Sequence, residues 1–220
     1  MATETRQTAP RPYRKRRRAL SELKTRRRIT EAAVALHQTV GPARTSVKAI
    51  AERAGVDRAT VYRHFPDEQA LFNACTSHYY ARHPMPDPGR WVAIADPDER
   101  LRAALADLYR WYGETEAMLA TGIRDIEHVP AESREDFLGY FEAVRAALVA
   151  DRRERGRART RVSGAIGHAI NFHTWHSLVR EQQLSPDEAI ALMAATVHTA
   201  AQRTRGPAPQ TRSATSRARS

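Results

Sequence analysis

Residues 45 to 72 read TSVKAIAERAGVDRATVYRHFPDEQALF. Ser46 is a favourable N-cap, and Val47, Ile50, Ala51 and Ala54 recur at helical spacing before Gly55, a residue suited to a left-handed C-terminal cap. After Val56, Asp57 is a second N-cap. The run Arg58 to His64 holds about two turns before Phe65-Pro66, where the proline disfavours helix at the residue preceding it. The stretch therefore predicts helix, tight glycine turn, helix. That arrangement lets a second helix enter a DNA major groove. Packing through Val56 and Val61 onto Ile50 and Ala54 would leave Arg58, Ala59, Thr60, Tyr62, Arg63 and His64 facing outward. Those side chains suit DNA, since Arg forks onto guanine, Ala or a Thr methyl meets a thymine methyl, and Tyr, His and Thr reach phosphate oxygens. Ser46 and Lys48 at the start of the first helix, and Lys24 and Arg27 on the preceding one, complete the expected DNA-binding set.

The order AIAERAGVDRATVYRHF, with its small-small-Gly turn and Tyr-x-His-Phe ending, resembles the DNA-binding domain of TetR-family transcriptional regulators, without a gap from Ile50 to Phe65. The resemblance implies an all-α chain with an N-terminal three-helix helix-turn-helix domain and a C-terminal helical bundle for ligand binding and dimerisation. One departure is local. Members of the family commonly carry Lys at the start of the next helix, where it meets backbone phosphate, and Glu68 stands there instead. Glu68 or Asp67 suits a helix N-terminus.

Charge is unevenly placed. The 220 residues carry a formal charge of +11, but residues 1 to 28 hold 11 Lys or Arg against 2 acids, and residues 203 to 220 hold 5 against none. The span 29 to 202 is left with 20 basic and 23 acidic residues. A nearly neutral body argues against a generally basic chromatin-like protein, whereas a basic segment just ahead of the DNA-reading helices favours phosphate attraction there. Cys75 is the only cysteine, so the chain can form no internal disulfide, which fits the cytoplasm. It reads as a small buried hydrophobe. There is no 18-residue apolar run and no signal-peptide pattern, so no membrane partner is expected.

Residues 1–18, with Arg14 to Arg18 and two prolines, are expected to form a disordered basic arm. The DNA-binding domain is placed at 19–66, with a first helix from Ser21 to Gly41. The ligand-binding and dimerisation domain is placed at 67–204, and a disordered tail at 205–220. In the second domain a connecting helix begins at Glu68, and proline-rich residues 83 to 97 follow. Helices are expected over 97–115 and 116–126, from a Ser133 cap to about Arg155 with Gly156 closing it, over 160–183, and from a Ser185 cap onward. The last two resemble the family's dimer-forming pair and imply a homodimer. Trp111, Tyr112, Met118, Phe137, Tyr140, Phe141, Phe172, His173 and His176, from helices that pack together, are the candidate contacts of a small-molecule effector.

His168, His173 and His176 lack acidic or thiolate partners at ligand spacing, so no metal is assigned. No catalytic grouping, phosphate loop or cofactor signature occurs, and the chain is not read as an enzyme. The expected function is a ligand-responsive regulator, foremost a repressor that binds a near-palindromic DNA operator as a dimer. The alternatives are a TetR-like activator and a sequence-tolerant basic DNA-binding protein.

Overall fold

The computed structural model describes residues 11–202, and side chains from residue 15 onward. Among the described residues the structure is all helical. It runs as α1 (Arg11–Thr39), α2 (Val47–Ala54), α3 (Arg58–His64), α4 (Glu68–Tyr80), α5 (Pro88–Val92), α6 (Pro97–Arg124), α7 (Ala131–Val149), α8 (Gly156–Ala169), α9 (Phe172–His176) and α10 (Pro186–Ala201). Short 3₁₀ turns lie at Pro42–Arg44 and Ile126–His128. Two separate apolar cores organise these helices. The smaller joins Ile29, Ala32 and Ala33 of α1 to Ile50, Ala51 and Ala54 of α2, Val61 of α3, Phe65, and Leu71 and Cys75 of α4. The unit expected to end at Pro66 therefore draws on α4 as far as Cys75. The larger core is built around α6, with α7 to α10 and Trp91 packed on it.

Local rules set the helix-turn-helix as expected. Ser46 caps α2 by accepting from the Ala49 amide at 3.2 Å, Asp57 caps α3 through the Thr60 amide, and Gly55 takes φ 63° at the end of α2. Asp67, not Glu68, caps α4, accepting from the Ala70 amide at 2.7 Å.

Elsewhere the element boundaries depart from expectation. The first helix begins at Arg11 rather than Ser21, so residues 11–18 are helical and Ser21 lies mid-helix. Arg, Lys, Ala and Leu are strong helix formers, and here they extend a helix already nucleated by packing at its C-terminal half. Residues 1–10 of the expected arm, and the expected tail, lie outside the described residues. The two stretches expected over 97–126 form one 28-residue helix, α6. Its interior Gly113 costs only about 1 kcal/mol relative to Ala, which the packing on both sides outweighs. α7 starts after Pro130 and ends at Val149, with neither Ser133 as cap nor Gly156 as stop. Its exposed C-terminal carbonyls are taken up by Arg100, only 2% exposed, which donates to Ala147 and Ala150 at 3.1 and 3.2 Å and pairs with Asp151 at 3.1 Å. Arg152 is likewise buried, donating to the Leu148 and Pro97 carbonyls and pairing with Asp98.

The helix expected over 160–183 is broken. Asn171 caps a new start by accepting from the His173 amide at 2.8 Å, and a π-helical turn over Ser177–Glu181 follows α9. Asn competes for backbone hydrogen bonds in this way and so interrupts helices. The carbonyls freed at the break are satisfied from α6, where the Tyr109 hydroxyl donates to Ala169 at 2.9 Å and the Tyr112 hydroxyl donates to Ile170. The apolar side formed by Phe172 and Trp175 belongs to α9, turned relative to the Val162–Ile166–Ala169 stripe of α8. α10 keeps its expected start, with Pro186 in its first turn and a full capping box between Ser185 and Glu188.

Candidate functional site

On the helix-turn-helix surface, Arg58, Ala59, Tyr62 and Arg63 are exposed on α3, and Ser46 and Lys48 are exposed at the start of α2. Tyr62 keeps 44% of its surface accessible although it is a large ring in a small domain. His64 is half-buried. Thr60 departs from its expected outward face, for it is only 8% exposed and its hydroxyl accepts from Arg63 at 3.2 Å. Two turns of helix anchored by Val61 leave room for one further inward position, and Thr60, next to Val61 and held by the Asp57 cap, takes it. Its hydroxyl thereby holds one end of the Arg63 guanidinium. Lys48 lies 3.8 Å from Glu52, a distance that an exposed pair gives up at little cost.

The basic run on α1 divides by geometry. Arg28 sends its guanidinium to the Ala54 and Gly55 carbonyls, closing the end of α2, with the Gly55 contact at 3.0 Å. Arg26 donates to the His64 carbonyl at the end of α3 and lies 4.1 Å over the Phe65 ring. Both arginines thus fasten the ends of α2 and α3 to α1. They flank Arg27 in the basic segment whose charge suggests phosphate attraction, yet both are spent inside the domain. Their partners are 26 to 38 residues away, so no local pattern marks them. Lys24 is exposed, and Arg27 is exposed in an i,i+4 pair with Glu31 at 2.8 Å.

A cavity of about 400 Å³ lies where the small domain meets the larger one. His37 of α1, Phe72, Cys75, Tyr79 and Tyr80 of α4, Met118, Leu119, Gly122 and Ile123 of α6, and Phe137 of α7 line it. The Cys75 Sγ is 3.4 Å from the His37 Nδ1. Burial moves their titrations in opposite directions, pushing the thiol up to about 12 and the imidazole down to about 4, so both are neutral near pH 7. This pair is a weakly polar wall, not an activated nucleophile.

Three hydrogen bonds beside the cavity join the domains. The Thr121 hydroxyl donates to the His37 carbonyl at 2.7 Å, Arg124 donates to the Val40 carbonyl at 2.8 Å, and the Ala43 amide donates to Asp125 at 3.1 Å. Arg124 pairs directly with Asp125 and, with the Ala43 amide, holds its carboxyl at about 2. Gly41, at φ 88°, passes so close that a Cβ there would sit 2.3 Å from both the Arg124 guanidinium and the Asp125 carboxylate.

Residues 29–75 match the family model for bacterial regulatory proteins of the tetR family. The match spans 47 of the 220 residues, those of the helix-turn-helix and the helices that flank it. No curated protein is a significant match to the chain. Its fold is similar to that of NalD, the secondary repressor of the MexAB-OprM multidrug efflux pump in Pseudomonas aeruginosa, with TM-score 0.58 and 21% identity over 82% of this chain and 96% of that one. A proposed fatty acid metabolism regulator of Clostridium perfringens is similar at TM-score 0.56 and 19% identity, covering 79% of this chain and 97% of the other. A tetR-family regulator from Streptomyces coelicolor aligns at TM-score 0.51 and 17% identity over 80% and 78% of the two chains.

The expected ligand contacts separate. Met118 and Phe137 reach the cavity. Trp111, Tyr112 and Phe172 are instead packed within the larger core, because large apolar side chains in facing helices close on one another. Tyr140 donates to the Pro86 carbonyl at 2.8 Å, and Phe141 stacks on Tyr112 and meets Phe137 edge to face. His173 is exposed, and His176 faces Glu116 and Glu181. Sequence reasoning missed the α1 and α4 walls, His37, Phe72, Cys75, Tyr79 and Tyr80. Their only advance signal was the alternation of Phe72, Cys75, Tyr79 and Tyr80 between faces of α4. Among the described residues no cluster of His, Cys, Asp and Glu could hold a metal ion, and no helix is long and apolar enough to cross a membrane.

Proposed function

We propose that the chain is a ligand-responsive repressor that binds a near-palindromic operator as a homodimer and releases it when a small molecule occupies the cavity. The observation that carries this reading is the cavity's position: α4 forms one wall of it and also contributes Leu71 and Cys75 to the core beneath α2 and α3. An occupant that displaces α4 would shift the helix-turn-helix with it. Repression then ends because two α3 helices no longer match successive major grooves. Arg58, Ala59, Tyr62 and Arg63 read the groove, while Ser46, Lys48, Lys24 and Arg27 lie against the backbone.

Dimerisation through α8 and α10 is supported by what these helices leave uncovered. They pack tightly on each other, yet Ala191, Leu192 and Ala195 of α10 stay exposed, Leu192 at 46%. A second copy laid on this small, apolar face would form a four-helix interface. DNase footprinting of promoter fragments adjoining its own gene tests the reading. A protected palindrome with two half-sites about one helical turn apart is expected, and reporter output should rise on deletion. Uniform protection of scrambled DNA would reject the operator, and falling output on deletion would make the protein an activator.

A further inference from the structure

We propose that the cavity selects an apolar molecule carrying a cationic amine or quaternary ammonium group, with Glu132 and Asp136 as the anchor for that charge. The proposal rests on reading the cavity as the effector site. Its interior is aromatic and thioether in character, with Phe72, Tyr80, Met85, Met118 and Phe137 on the walls. Such walls adapt to varied apolar shapes, and aromatic faces also attract cations. A volume of about 400 Å³ is within the range of small-molecule pockets.

The charge balance of the lining decides the head group. Glu132 and Asp136, one turn apart on α7, line the cavity and are exposed, whereas no Lys or Arg lines it. Arg134, between them in sequence, turns to Glu127 at 3.1 Å. His37 is the one imidazole in the lining, and burial keeps it neutral near pH 7. Glu132 in the first turn of α7 also suits the helix N-terminus, but Asp136 in the second turn lies beyond that field's short reach. An anionic ligand would meet two carboxylates and no counter-charge, while a cation would meet both carboxylates at the mouth and apolar rings below.

The test is isothermal titration of the full chain with two probes of equal chain length, decyltrimethylammonium and decanoate, below their micelle concentrations. The cation is expected to bind at least tenfold more tightly. The Glu132→Gln/Asp136→Asn pair should lose that preference, and Gly122→Trp, which fills the cavity, should bind neither probe. Melting curves separate lost folding from lost charge, and the exposed single change Asp136→Asn serves if the pair does not fold. Equal or tighter binding of decanoate, binding of neither probe, or undiminished cation binding by the carboxamide variants overturns the proposal. Release of a bound DNA fragment is read on the same samples. Cation preference without DNA release supports the charge selection while rejecting ligand response. Release by decanoate alone keeps ligand response and overturns the charge selection.

Discussion

Arg27 and Arg28 are neighbours in sequence with different work to do. Arg27 is turned to solvent beside Glu31, and Arg28 closes the carbonyl end of α2. Removing Arg28 leaves the partly buried Ala54 carbonyl without that donor, while the exposed Gly55 carbonyl can turn to water, so Arg28→Ala should destabilise the protein by about 1–2 kcal/mol, seen as a lower urea midpoint. Arg27→Ala should leave the midpoint nearly unchanged, because an exposed pair contributes little. Arg63→Ala should instead keep the midpoint and weaken operator binding by roughly tenfold or more, the worth of one good base contact, while binding to scrambled DNA falls far less. Full operator affinity in a folded Arg63→Ala dimer would remove α3 from the role of reader.

His37 adds a pH dependence at the same scale. Its folded value, near 4, is depressed below the ordinary 6.5 by burial, so the unfolded chain takes up a proton that the folded chain refuses. The resulting stability is fully present above about pH 6.5 and is lost as pH falls toward 4. At pH 5 the loss is about 2 kcal/mol. Urea unfolding at pH 7 and pH 5 measures it, and His37→Phe should flatten the difference.

At the scale of elements, what could be read in the chain depended on the range of the interactions involved. Ser46, Gly55 and Asp57 act within a few residues, and α2 and α3 emerge where those residues predict. The Asn171 break did not announce itself, because its freed carbonyls are satisfied by Tyr109 and Tyr112 about 60 residues upstream. The cavity was half legible: α6 and α7 supplied Met118 and Phe137, but its α1 and α4 walls depend on how two domains meet. The helical run ahead of Lys24 puts Lys15 to Arg18 on an exposed helix. Deleting residues 1–18 should lower DNA affinity and reduce the salt slope by about 0.9 for each phosphate that the shortened chain no longer neutralises, with sequence preference retained. An unchanged slope would show that this segment touches no phosphate.

The whole molecule joins two cores through α1, α4 and the α6 end, and presents α10 as its free face. Leu192→Arg should shift the protein toward monomer in light scattering and weaken operator binding in parallel, since paired half-sites need both copies. A dimer unaffected by this change would place the interface elsewhere.

Finally, α1 is one rod that runs from the exposed basic turns to the cavity wall and is gripped at Ile29, Ala32 and Ala33. At 1.5 Å per residue, Lys15 stands about 27 Å beyond Ala33 and His37 only about 6 Å on the other side. A rigid lever pivoting there would amplify displacement about fourfold. A displacement of about half an ångström at the cavity would sweep the basic end through about 2 Å, enough to break the hydrogen bonds that a side chain makes to a phosphate oxygen.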